Sequence, residues 1–194
     1  MPRWPQDSRD RLVDAAVGLF VERGFSAVTV DDIAHHAGIS ARTFFRHFPD
    51  KEEVLFAYDD ELLPTLLSAI AGETTTSVTA EQDMERALVA LATTMEPRRE
   101  ELAQRQSIID SQVSLSGREL AKQAHWQRAV MAALVDRGYE SADADLLAAI
   151  GFAVFRRALH SWLADQRLPD LATRVRSALP QVRSVLDSTR SIPG

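Results

Sequence analysis

Apolar residues recur along the chain at intervals of three and four, and period-two alternation never survives beyond a few residues. The pattern therefore predicts helices and no sheet. Leu12, Ala15, Ala16, Leu19 and Phe20 form the stripe of a first helix, with Asp7 or Ser8 placed to cap it and Gly24 just past its end. Thr29 followed by Asp31 and Asp32 reads as an N-cap with two acids in the first turn, where the helix dipole favours them. Ile33, Ala34 and Ala37 supply the buried side of that second helix, and Gly38 breaks it. Ser40 caps a third, Ala41–Phe48, which Pro49 ends. Phe44 and Phe48, at i and i+4, are assigned to the core; Phe45 suits either core or surface.

Asp50 and Glu53 have the spacing of a capping box. They predict one long helix through Val54, Leu55, Tyr58, Leu62, Leu66 and Ile70, bent at Pro64 and ending at Gly72, about 30 Å in length. After a polar, Thr-rich loop, further helices are expected at about 80–95, 97–113, 117–137, 143–165 and 170–187. Thr79 with Gln82 and Ser116 with Glu119 are further capping boxes, Pro97 and Pro169 suit first-turn positions, and Gly138 closes a helix. The expected fold is all-α, about nine helices: three short ones in residues 1–50, then a larger bundle in 51–194.

Composition narrows the function classes. Apolar residues make up 45% of the 194 and charged residues 26%, the balance of a globular chain rather than a disordered one. Cysteine is absent, which removes disulfides, thiolate catalysis and cysteine-ligated metals. Apolar runs are short and residues 1–11 are polar, so no membrane span and no leader are expected, and a cytoplasmic location follows. Arginine outnumbers lysine 20 to 2 and asparagine is missing, the bias that GC-rich codons produce. Net charge is −6, yet residues 1–51 carry seven basic and seven acidic groups, so the deficit lies wholly in the remainder. Arg42, Arg46 and Lys51, with His47 beside them, face only Asp50 in Ala41–Lys51. A basic segment on an acidic body suits a partner touched at one edge.

Short helix, glycine turn, short helix is a helix-turn-helix pattern. The second helix would span about 12 Å, the width of the DNA major groove. Arg42 has the fork that guanine's groove edge requires; Thr43 can bond a phosphate or touch a thymine methyl. Arg46 and His47, one turn on, can reach phosphates, and Lys51 lies inside the next helix start, where charge and dipole both attract one. By spacing alone, a plain packing corner with solvated arginines is the competing reading.

The string Thr29-Val30-Asp31-Asp32-Ile33-Ala34-His35-His36-Ala37-Gly38-Ile39-Ser40-Ala41-Arg42-Thr43-Phe44-Phe45-Arg46-His47-Phe48-Pro49-Asp50-Lys51-Glu52-Glu53-Val54-Leu55 resembles the DNA-binding domain of the tetracycline-repressor (TetR) family. The resemblance covers residues 8–55, about a quarter of the chain; 56–194 are similar only in length and helix order. It implies a homodimeric bacterial transcriptional regulator, a repressor that binds a palindromic duplex operator and is released by a small lipophilic effector. It also implies that Ser40 and Ala41–His47 meet DNA, with Arg42 facing bases and Thr29, Thr43, His47 and Lys51 near phosphates. Phe45 departs from the family's usual tyrosine and loses its hydroxyl. Ala41 is small where a longer polar residue is frequent, which throws the reading onto Arg42 and Arg46. Asp31 either serves the dipole or repels phosphate.

No catalytic constellation emerges. His35 and His36 are adjacent on a helix, about 100° apart, and cannot share one ion. No zinc-hydrolase, di-iron or phosphate-loop motif occurs, so no metal, cofactor or enzymatic activity is expected. Tyr58, His125, Trp126 and Trp162 combine apolar surface with a polar tip and are candidates for lining an effector pocket. Leu146, Ile150, Val154, Val175, Leu179 and Val182 lie on broad apolar faces that the resemblance assigns to a dimer interface. The rival reading is a helical carrier or enzyme for hydrophobic molecules, with no role in DNA binding.

Overall fold

The computed structural model describes residues 8–72, 79–165 and 169–188. Among them are nine α-helices and no strand: α1 Ser8–Arg23, α2 Val30–His36, α3 Ala41–His47, α4 Asp59–Ala71, α5 Ala80–Met95, α6 Arg99–Asp110, α7 Val113–Asp136, α8 Ser141–Ala164 and α9 Leu171–Ser188. The all-α expectation and most helix boundaries hold. Gly24, Gly38 and Gly138 all take positive φ where a helix had to stop. The chain divides into two compact units, 1–59 with 100–119, and 60–99 with 120–194.

In the first unit, α1 buries Leu12, Ala16, Leu19 and Phe20 against Ile33 of α2 and Phe44 of α3. Phe20 and Phe25 pack with ring centroids 4.9 Å apart. Val54, Leu55 and Phe56, with Ile108, Ile109 and Leu115 from α6 and α7, complete the same core. Arg9 donates to the carbonyl of Ala57, and Arg11 donates to that of Ala37, the last residue before the turn at Gly38.

In the second unit, α5 packs on α8 and α9. The buried side of α8 is Ala144, Ala148, Gly151, Val154, Phe155, Ala158 and Trp162. Gly151 admits the side chain of Met84, whose atoms occupy the space a Cβ would need. α8 is long and apolar enough to cross a membrane by length and composition alone, a test that core helices also pass. One side of it, from Ala144 to Trp162, packs inside this unit, where α8 meets α5 and α9, while Leu146 is exposed. Asp83 of α5 is wholly buried. Arg86 and Arg137 (2.7 Å) donate to its carboxylate, as does Tyr139 Oη (2.9 Å).

Four local expectations are corrected. The single helix from Lys51 to Gly72 is absent: Glu53–Phe56 is a 3₁₀ turn, and α4 has 13 residues, about 20 Å. Glu53 N–H does donate to Asp50 Oδ1 (2.8 Å), but the Glu53 carboxylate pairs with Arg118 (3.3 Å), and no reciprocal bond forms. Ser116 is no cap. It lies inside the first turn of α7, its hydroxyl bonding the carbonyls of Ile109 (3.2 Å) and Gln112 (3.3 Å). Pro169 precedes α9, which Asp170 caps through the N–H of Thr173 (2.7 Å).

Candidate nucleic-acid interface

Local chemistry fixes the turn between α2 and α3. Thr29 and Asp32 form a reciprocal capping box: Thr29 Oγ1 accepts from Asp32 N–H (3.2 Å), and the Asp32 carboxylate accepts from Thr29 N–H (2.9 Å) and its hydroxyl (2.6 Å). The Thr29 hydroxyl, then its N–H, hold the Asp32 carboxyl below its ordinary 3.8. Gly38 turns the chain at φ +65, and a Cβ there would stand 3.0 Å from the Arg11 guanidinium. Ser40 Oγ accepts from Thr43 N–H (3.2 Å) and lies 3.0 Å from the Thr43 hydroxyl. Both expected caps are present.

α3 is anchored by Phe44 and Phe48, buried as expected, with ring centroids 5.7 Å apart. Outward, Arg42, Phe45 and Arg46 are all exposed. Their offsets of three and four residues place them on one face. Phe45, open to either assignment by sequence, is 57% exposed and belongs to the surface. Thr29, Asp31 and Ser40 are exposed; Ala41, Thr43 and His47 are half-buried, and His47 Nε2 is buried with no hydrogen-bond partner. The seven residues of α3 span about 10 Å, short enough to enter a major groove about 12 Å wide.

Lys51 is engaged inside the unit. Its ammonium donates to the carbonyls of Phe25 (2.9 Å) and Val28 (2.8 Å) and stands 4.3 Å from the centroid of the Phe25 ring. Two of its three N–H groups therefore tie the segment after α3 to the segment before α2.

Residues 12–58 match the family described as bacterial regulatory proteins, tetR family. The match covers about a quarter of the chain, the segment that holds α2, α3 and most of α1. The chain is 41% identical over 70 residues to the HTH-type transcriptional regulator TcmR of Streptomyces glaucescens, a match covering 34% of this chain and 31% of that one. It is 40% identical over 86 residues to the HTH-type transcriptional repressor KstR2 of Rhodococcus jostii, covering 44% and 40%. The matches thus span about a third to two fifths of these relatives' own length. Among solved structures, the transcriptional regulator FadR from Bacillus subtilis in complex with stearoyl-CoA superposes with a TM-score of 0.63 at 18% identity, over 88% of this chain and 95% of that one. At that identity the likeness is one of fold.

Residues that the sequence pattern did not single out brace this segment. Arg118 grips Asp50 with both terminal nitrogens (2.7 and 2.8 Å) and also meets Glu52 (3.2 Å) and Glu53 (3.3 Å). Arg105 donates to the carbonyl of Leu55, lies 4.9 Å from the centroid of the Phe56 ring, and is held 3.7 Å from Glu119. Burial pulls its guanidinium down, against Asp59 and Glu119. No local pattern marks either arginine, since the Leu55 carbonyl lies 50 residues from Arg105 and Asp50 lies 68 from Arg118.

The bidentate bond from Arg118 holds the Asp50 carboxyl below its ordinary 3.8, against partial burial. A depressed carboxylate contributes stability above its unfolded pKa and loses it as pH falls through the folded value. The brace should therefore persist at neutral pH and fail only below about pH 4. Carboxyl-carbon NMR should give an Asp50 midpoint below 3.8, rising toward it in Arg118→Gln. A wild-type midpoint at or above the ordinary value would contradict the brace.

The four effector candidates are not brought together. Tyr58 lines a cavity of about 190 Å³ in the first unit, with Val13, Val17, Leu55, Leu102 and Arg105. That is below the roughly 300 Å³ of a drug-sized site. In the second unit, His125 is exposed, Trp126 half-buried and Trp162 buried. The Trp162 ring lies under Arg99 at 5.1 Å, and Arg99 also donates to the Trp162 carbonyl. Of the dimer candidates, Val154 and Val175 are buried within the unit, Leu146 is 60% exposed, and Ile150 and Val182 are half-buried. The Leu179 side chain lies outside the described residues.

Proposed function

We propose that the protein is a DNA-binding transcriptional repressor that engages a palindromic operator as a homodimer and is released by a lipophilic small molecule. The observation that carries this reading is the exposed face of Arg42, Phe45 and Arg46 on a short helix whose approach is fixed by two caps and a glycine turn. A scaffold corner has no use for that face; a groove reader needs it. Its place of action is the cytoplasm, where its DNA lies. The named function of KstR2 supports repression, and the stearoyl-CoA bound to Bacillus subtilis FadR supports an acyl-chain ligand class. Leu146 and Ile150 on α8, with Val182 on α9, offer the apolar surface for a second copy. Release follows only if the effector binds the non-DNA-binding state more tightly.

In this reading Arg42 reads a base. Mobility-shift titration of Arg42→Ala on the cognate operator should show a loss of about 1–3 kcal/mol, roughly 5- to 150-fold, with relaxed preference at one position per half-site. Two chains should bind each palindrome. Equal weakening on cognate and random DNA would move the base-reading role to Arg46. Absence of any salt-dependent DNA affinity would favour the carrier reading.

A further inference from the structure

We propose that Phe45 reads the 5-methyl group of a thymine, so that each half-site carries an obligatory thymine beside the base bound by Arg42. The inference rests on the DNA-binding role proposed above. Phe45 is 57% exposed on a helix whose neighbouring phenylalanines, Phe44 and Phe48, are fully buried. Its ring is not loose: it packs edge-on against Phe44, centroids 5.5 Å apart and planes at 82°. That contact ties an outward ring to the core beneath it. On the same face stand the exposed arginines Arg42, three residues before, and Arg46, one residue after.

A phenyl ring has no donor, so it cannot hold a phosphate or pair with a base edge. What it offers a groove is apolar surface. The major-groove edge of DNA presents one apolar group, the thymine methyl, and phenylalanine is among the side chains that contact it. The flanking guanidiniums answer the other features there, guanine acceptors and phosphates. Arg42 and Phe45 are about 4.5 Å apart along the helix axis, which is little more than one base-pair step. The thymine should therefore lie within about two base pairs of the base that Arg42 reads.

The test begins with in vitro selection of operator duplexes by the full-length protein. Each thymine is then replaced by deoxyuridine, which deletes the methyl group alone. For the wild type, one symmetric replacement should weaken binding by about 3- to 10-fold. Phe45→Ala should bind the thymine and deoxyuridine duplexes equally, while Phe45→Leu should keep part of the discrimination. Phe45→Ala loses the edge-on contact with Phe44, so its melting point should fall slightly, and binding is compared at a temperature where circular dichroism shows all three proteins folded. If wild type and Phe45→Ala respond identically to every deoxyuridine, the inference fails while DNA recognition stands. A selected half-site with no thymine near the Arg42-dependent base would also overturn it. If no duplex is retained at all, the DNA-binding reading falls with it.

Discussion

Lys51→Ala should lower the thermal midpoint of the isolated protein, before any DNA is added. A hydrogen bond from a charged donor is worth about 1.5–3 kcal/mol, and a cation over a ring about 0.5–2 kcal/mol. Lys51 makes two such bonds, to the Phe25 and Val28 carbonyls, and one such ring contact. The contributions are not additive, and a combined loss of about 2–4 kcal/mol is expected. For a unit of this size that is a fall of about 10 °C or more. The measurement is a melting curve of wild type and variant in the same buffer, followed by a salt titration of DNA binding at a temperature where both are folded. A pure phosphate contact makes the opposite prediction: unchanged melting, and a salt slope reduced by about one unit. Lys51→Arg should rescue little, because a planar fork does not reproduce a compact ammonium between two carbonyls.

Asp83→Ala should cost more still, about 3–5 kcal/mol, because it strips the shared acceptor from a buried charged cluster. Asp83 has no exposed surface and receives bonds from Arg86, Arg137 and Tyr139. Partial burial and the Asp83 carboxylate raise the Tyr139 phenol, which keeps it a donor. Without the carboxylate, the two guanidiniums and the Tyr139 hydroxyl lose their shared acceptor. Asp83→Asn should fare almost as badly, since an amide turns further N–H groups toward guanidiniums. Urea denaturation should show a lower midpoint with an unchanged slope. A loss under about 1 kcal/mol would mean that water replaces the carboxylate.

The α2–α3 half of the candidate site was largely legible because its determinants are local. A cap acts over three residues, as at Thr29 with Asp32 and Ser40 with Thr43, so composition and spacing expose it directly. The exposed placement of Arg42 and Arg46 follows from the same helix whose other side carries Phe44 and Phe48. The effector half was not legible. Tyr58 and Trp162 were chosen for residue type, and type does not say which unit a side chain packs in. Val154 and Val175 show the same limit: an apolar face fits a core and an interface equally well, and burial assigns these two to the core.

By itself the sequence determined the helical class, the breaks at Gly24, Gly38 and Gly138, the caps at Thr29, Ser40 and Thr79, and the basic outward face of α3. Each of these depends on groups within one or two turns of one another. Tertiary structure alone decided that Lys51 serves carbonyls 23 and 26 residues away, and that Arg118 takes the Glu53 carboxylate a capping box would have used. It also replaced the expected long helix with a 3₁₀ turn followed by α4. The physical reason is that a charged side chain has several possible partners of similar intrinsic strength. Which one it takes depends on what folding brings within 3 Å, and on how much water is excluded there.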